Sequence, residues 1–249
     1  MKGEEQYPSG VSSSFVSRLL HHIGKSNRMQ LRFIYTNMPF WRAEVGRITL
    51  FIGDVEFEDL RIDREEFLRA KESGKLDDGT VMPFHQMPVL EVDGTSIAQT
   101  GSIARFCGKL SGLYPVNDHL KAAKIDQFID FATDLNTMVS STNQINDKDQ
   151  KITARIELAK GPIKRKLGML ERCITERSDW IVPASISIAD IAIWRVLGWF
   201  TSGLLDGMPK NLLEDFPKTR RVCLAVDQHP KVQEWIGRTY PENYVRGNY

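Results

Sequence analysis

The stretch His85-Gln-Met-Pro-Val-Leu-Glu-Val-Asp-Gly-Thr-Ser-Ile-Ala-Gln-Thr-Gly-Ser-Ile-Ala-Arg-Phe106 decides how the chain folds. Residues 87–92 and 95–98 read as two short strands, and Asp93-Gly94 between them suits a two-residue hairpin turn. A helix over 102–110 follows, stopped by Gly112. Pro88 stands at the mouth of the first strand, where it has no N–H to give a ladder. An X-Pro bond turns cis at modest cost, and a cis proline marks a fixed turn. A cis bond here frees the Met87 backbone N–H and C=O to hold an extended peptide-like ligand, as an added strand would. Gln99-Thr100 comes directly before the helix, whose first free N–H groups attract a carboxylate. Both features point to one ligand with a peptide backbone and an α-carboxylate.

Working outward, residues 29–35 alternate like a strand, and Pro39 precedes a helix over 42–52 that Gly53-Asp54 stops. Residues 55–62 read as a second strand and 64–73 as a helix closed by Gly74. The order β-α-β-α-β-β-α calls for a mixed sheet with helices, an α/β unit. Residues 113–118 read as a linker, and everything after them as helix. Ile125, Phe128, Ile129, Ala132, Leu135 and Val139 form one face of a long helix. Ile152, Ile156, Ala159, Ile163, Leu167, Leu170 and Ile174 do the same for a second, which Pro162 should kink. Ser187 to Asp190 has the form of a capping box with Asp in place of Glu. The helix after it is apolar on nearly all sides, so it belongs in the centre of the bundle. Shorter helices are expected over 212–227 and 230–238. The expected organisation is an extension (1–28), an α/β domain (29–112), a linker (113–118) and an all-helical domain (119–249).

The 249 residues carry a net charge of +1, which gives no electrostatic case for nucleic-acid binding. No run of about 18 apolar residues is present, so no membrane span is expected. The three cysteines have neither metal spacing nor an even disulfide framework, the pattern of a reducing compartment such as the cytoplasm. Residues 1–28 are polar and turn-rich, then acid-poor, with Phe15, Leu19, Leu20 and Ile23 on roughly one helical face. Glu4 and Glu5 speak against a targeting segment, and a flexible extension is expected.

The order and spacing of residues 86–94, of Gln99-Thr100 with Ser102-Ile103-Ala104-Arg105, and of the Ser187–Asp190 box resemble the cytosolic glutathione transferases. The resemblance covers residues 29 to 240. It implies a thioredoxin-like first domain, an all-helical second domain and glutathione as co-substrate, with no metal. Among subfamilies the chain is most similar to the tyrosine type, sigma first, with alpha, mu and pi features.

In that group the first strand ends in a catalytic tyrosine, and the matching stretch here runs from Tyr35 to Glu44. A free thiol titrates near pH ~8.5, and a phenol O–H donated to the sulfur favours its anion. Lowering that pKa by about two units takes roughly 2.7 kcal/mol, within reach of a short bond to a charged acceptor aided by positive charge. The resemblance places Arg42 near the thiol. It places glutathione against Phe67, Gln86, Met87, Pro88, Gln99 and Thr100, with Lys71 or Lys75 at the glycine carboxylate. Phe67 stands where the sigma group carries an indole donor and has no N–H to offer. Asp134 resembles an aspartate that reaches the partner's ligand amine, which makes a homodimer part of the site; with Asp126 and Asp130 it otherwise reads as a solvent-facing stripe.

Two departures bear on the loop after Tyr35. One residue is inserted before Arg42, and Pro39-Phe40-Trp41 replaces a glycine-containing turn. Met38, Phe40 and Trp41 are expected to line an apolar electrophile pocket, with packing of the first helix as the alternative for Phe40 and Trp41. Cys107, Cys173 and Cys223 are not placed as nucleophiles, and His85 reads as a surface residue. The expected function is detoxifying conjugation of glutathione to hydrophobic electrophiles. The alternatives are a glutathione-requiring isomerase of the prostaglandin D synthase type, a crystallin-like binding protein, and a scaffold domain on the same fold.

Overall fold

Strand β1 (Leu31–Thr36) buries residues on both of its faces, so it sits at the centre of the sheet. It pairs in parallel with β2 (Glu58–Ile62) and antiparallel with β3 (Val89–Val92), which pairs antiparallel with β4 (Thr95–Ala98). The order is β2-β1-β3-β4. Helix α1 (Trp41–Ile52) makes the crossover that the parallel pair requires. Asp93 and Gly94 both have positive φ (48° and 80°), the conformation of a type I′ hairpin turn. This computed structural model describes residues 29–249; the flexible extension expected over 1–28 lies outside the described residues.

The sheet's two faces bury different partners. Leu31, Phe33 and Leu90 pack on Ala43 and Leu50 of α1 and on Ile103 and Cys107 of α3 (Thr100–Ser111). Ile34, Ile62 and Val89 pack on Ala70 of α2 (Arg64–Ser73) and on Leu76 and Met82 of the loop after it. Gly74 and Gly112, each at φ 77°, end α2 and α3 in the left-handed conformation that glycine adopts without steric cost.

Leu113 and Tyr114, in the expected linker, are buried, and the Tyr114 hydroxyl donates to Asp126 at 3.0 Å. Helix α4 (His119–Ser140) is followed by α5 (Lys148–Leu158), a π turn (Ala159–Ile163) and α6 (Lys164–Cys173). Pro162 lies in the π turn: the wider turn accommodates the missing donor without ending the helix. Helix α7 (Ile188–Thr201) starts at a complete capping box and is buried along its length, with only Trp199 half-exposed. Helices α8 (Pro217–Asp227) and α9 (Pro230–Thr239) complete the layer. The expected helix over 212–227 is shorter at its start: residues 209–216 form successive turns, and Pro217 opens α8.

Residues 31–249 form one compact unit, because α1 serves both layers. Its Ala43 and Leu50 face the sheet, while Trp41, Val45 and Ile48 belong to the core of α4 and α7. The aspartates of α4 are not a free stripe. Arg105 holds Asp126 at 2.6 Å and Asp130 at 2.8 Å, and Lys166 holds Asp134 at 3.0 Å.

Candidate active site

A cleft of about 490 Å³ opens where β1 ends, α1 begins, Pro88 enters β3 and α3 starts. Tyr35 lies half-buried in its wall, near the end of β1. Its hydroxyl has no hydrogen-bond partner among the described residues. Burial pushes the phenol up to about 12, against the opposing pull of Arg42 and Arg47. Tyr35 is therefore a neutral O–H donor at physiological pH.

Two arginines stand near that ring in different states. Arg47 lies 5.9 Å from the Tyr35 ring centroid but is committed to Glu44 (3.1 Å) and Asp59 (2.7 Å). Arg42, in the first turn of α1, has no ion pair among the described residues. Among the described residues it carries the one formal charge on the side chains lining the cleft, which suits the site to an anion.

The opposite wall is built by residues 86–88 and 98–100. The Met87–Pro88 bond is cis. Gln99 sits at φ 73° and ψ 122°, a conformation that costs a non-glycine residue about 1–3 kcal/mol and is found where structure over-determines it. Its carbonyl accepts the Ile103 N–H at 3.0 Å, so the strained residue is the N-cap of α3. Thr100 follows in the first turn of α3, buried, and its hydroxyl has no partner among the described residues. A buried polar atom of that kind costs stability unless something binds it. Phe67 and Met38 complete the wall, Met38 being half-exposed.

The fold thus brings Tyr35, Met38, Arg42, Phe67, Gln86, Met87, Pro88, Gln99 and Thr100 to one cleft. It does not bring Trp41, Phe40, Lys71, Lys75 or Asp134 there. Trp41 is wholly buried and donates its indole N–H to Asn136 at 2.9 Å, so it joins α1 to α4 and lines no cleft. Phe40 packs edge-on against Trp199 at 5.0 Å, on the bundle side of the same loop. Lys71 and Lys75 are exposed outside the cleft because the chain folds back after α2. Leu76 N donates to Thr80 O and Met82 N to Gly74 O, which buries Leu76 and Met82 and leaves the two lysines before them facing solvent. Asp134 is exposed on α4 and paired with Lys166 of its own chain.

Phe84 was missed in the sequence reading; it lines the cleft and is 60 % exposed. Its signal was an aromatic residue in a loop between two prolines, where no helical or strand period calls for one. His85, beside it, is exposed and braces the loop through Nδ1 on the Lys71 carbonyl at 3.0 Å. Cys107 and Cys223 are buried, and burial pushes their thiols up; Cys173 is exposed, and none of the three lines the cleft. A larger open hollow of about 710 Å³ lies against Trp180, Arg221 and His229, but none of the expected site residues reaches it.

A thioredoxin-like layer joined to a helical bundle, with a peptide-sized cleft at the cis-proline, defines the class. Comparison with known proteins gives the family. Residues 31–108 match the model of the glutathione S-transferase N-terminal domain, and residues 133–238 that of the C-terminal domain. Glutathione S-transferase 2 of Caenorhabditis elegans is 30% identical over 155 residues, covering 61% of this chain and 78% of that protein. Glutathione S-transferase 2 of Manduca sexta is 29% identical over 187 residues, covering 75% and 86%. The solved structure of prostaglandin synthase D of Nilaparvata lugens superposes with a TM-score of 0.72 at 25% identity, covering 85% of this chain and 98% of that one. The chain belongs to the glutathione S-transferase family.

Proposed function

We propose that this protein ionises the thiol of glutathione with the Tyr35 hydroxyl and the Arg42 charge, and transfers the thiolate to hydrophobic electrophiles. One observation carries the reading: Tyr35, a neutral phenol donor, Arg42, unpaired among the described residues, and Thr100, whose buried hydroxyl has no partner among them, line the same cleft. In this reading Met87 holds the cysteinyl backbone, and Gln99 with Thr100 takes the γ-glutamyl carboxylate. Gln86 and Phe67 flank the peptide, Phe67 as an apolar wall. The sulfur then lies by Tyr35. A hydrogen bond to a charged acceptor contributes about 1.5–3 kcal/mol, enough for most of a two-unit drop in thiol pKa. Met38 and Phe84 begin the electrophile's side. The thiolate forms a sulfur–carbon bond there, by addition or with departure of a leaving group, and proximity supplies much of the rate. The protein acts in the cytoplasm as a homodimer, and Asp134 serves the partner's site only when its Lys166 pair opens.

Likeness to the Nilaparvata prostaglandin synthase D favours a second reading, an isomerase in which the same thiolate attacks an endoperoxide. Product analysis with a prostaglandin endoperoxide separates the two. The test of the thiolate site is a pH titration of the ultraviolet thiolate absorbance of bound glutathione, for wild type and Tyr35→Phe. A depressed pKa that returns toward ~8.5 in the variant is expected. Binding with no depression would sink the catalytic role of Tyr35, and no binding would sink the glutathione site.

A further inference from the structure

The loop between Tyr35 and Arg42 is held from behind. The carbonyl oxygen of Pro39 accepts from Arg195 Nη2 at 2.8 Å, from Arg195 Nε at 3.3 Å and from the Tyr244 hydroxyl at 3.0 Å. Arg195 also donates to that hydroxyl at 2.6 Å, so three groups close on one another. Arg195 is wholly buried in α7, and no carboxylate pairs with it directly among the described residues. Its charge rests on the Pro39 and Arg246 carbonyls and on the faces of Trp194, Tyr240 and Tyr244, 5.4 to 5.9 Å away. A buried cation solvated in this way binds the groups that solvate it to one another, because losing any of them leaves charge uncompensated.

Those groups come from opposite ends of the chain. Pro39 belongs to the loop after β1, while Tyr244 and Arg246 belong to the last residues. The tail is seated firmly. Arg246 makes a two-pronged contact with Asp227 at 2.8 and 2.9 Å, Asn248 N donates to Thr201 Oγ1 at 2.9 Å, and the Tyr249 hydroxyl donates to Trp194 O at 3.2 Å. Gly198 makes room for it: a Cβ there would lie 2.3 Å from the Arg246 carbonyl oxygen and 2.2 Å from Tyr249 Oη.

We infer that the C-terminal tail is a clamp on the Tyr35–Arg42 loop, with Tyr244 and Arg195 acting as positioning residues through the Pro39 carbonyl. The inference rests on the reading of Tyr35 and Arg42 as the thiol-ionising pair. The two flank the clamped loop, so a shift of Pro39 moves both relative to the sulfur, and small misplacements at such a distance are costly.

The test uses the full chain with Tyr244→Phe and, independently, Gly198→Ala, which expels the tail by backbone overlap. Two quantities are read: amide exchange of residues 36–42 and the thiol pKa of bound glutathione. Loss of one hydrogen bond at the clamp predicts exchange about tenfold faster in Tyr244→Phe. The thiol pKa should rise by roughly half a unit or more. Asp118→Ala, which removes the N-cap of α4, is the control: it lowers the melting temperature and leaves both readouts at wild type. Unchanged exchange in Tyr244→Phe overturns the clamp, as does faster exchange with an unmoved thiol pKa. A wild-type protein that does not depress the thiol pKa overturns the transferase reading and the clamp's role with it, and that failure shows before any variant is made.

Discussion

Trp41 donates its indole N–H to the side-chain carbonyl of Asn136 at 2.9 Å, and neither side chain reaches solvent. The contact ties the first turn of α1, next to Arg42, to the C-terminal part of α4. Trp41→Phe leaves the Asn136 carbonyl without a donor and opens a void, so urea unfolding should show a loss of about 2–4 kcal/mol. Asn136→Leu strands the indole N–H and should cost about 1–3 kcal/mol. The double variant removes both polar groups and should recover about 1 kcal/mol or more relative to the sum. The electrophile KM of Trp41→Phe should stay at wild type. An altered KM with unchanged stability would return Trp41 to the pocket wall.

Thr100 gives a contrast between stability and binding. Its hydroxyl is buried and has no partner among the described residues, so Thr100→Val removes an unsatisfied polar group while keeping the shape. The ligand-free variant should therefore unfold at wild-type denaturant concentration or above it. Glutathione affinity should fall about tenfold, measured by calorimetry, because the hydroxyl is then no longer there to meet the carboxylate. Equal losses in stability and affinity would make Thr100 an ordinary structural residue.

Local chemistry explains which parts of this molecule are readable in the sequence. The hairpin turn, the two glycine stops and the capping box each depend on residues a few positions apart, and each forms as its composition dictates. The cleft residues near Pro88 and Gln99 were legible for the same reason. What was not legible depends on distant chain. Trp41 turns inward because Asn136 and the bundle core receive it, and Phe40 because Trp199 does. Lys71 and Lys75 face solvent because Leu76 and Met82 find a hydrophobic cluster on the far side of the sheet. The start of α8 is set by Pro217 and by Glu171, whose carboxylate accepts from Lys218 N at 2.8 Å and Thr219 N at 2.9 Å, nearly fifty residues away in sequence. No periodicity carries such information.

Asp190 makes stability depend on pH in an unusual direction. Burial pushes its carboxyl from 3.8 up to about 6, against hydrogen bonds from Ile181 N, Ser187 Oγ and Ser187 N. Between about pH 4 and 6 the unfolded chain has released this proton and the folded chain keeps it, so the folded state binds more protons. Stability from this group therefore falls as pH rises through that window and is level above it. The full shift corresponds to about 3 kcal/mol. The stability difference between wild type and Asp190→Asn should narrow by roughly 1–3 kcal/mol from pH 4 to pH 7 in chemical denaturation. A difference that stays flat would mean that the three donors offset burial and Asp190 titrates at its usual value.

The pH–rate profile distinguishes a phenol donor from a phenolate base. Tyr35 is pushed up to about 12 by burial, so it stays protonated wherever a transferase is assayed. Only the thiol then titrates, and kcat/KM for the electrophile at saturating glutathione should rise along one limb to a plateau that persists to about pH 9. In Tyr35→Phe the limb should move up by roughly two units, toward the free thiol. In Arg42→Met, which removes a charge from the cleft's lining, it should move by about one unit, and Arg42→Lys should recover part of it because the point charge returns without the planar fork. A phenolate base would differ in which group titrates. Its limb would report Tyr35's own ionisation, and Arg42→Met would shift it by raising the phenol, with bound glutathione still titrating as a free thiol. Measuring the thiolate absorbance and the rate on the same samples decides between them, since only the donor mechanism moves both together.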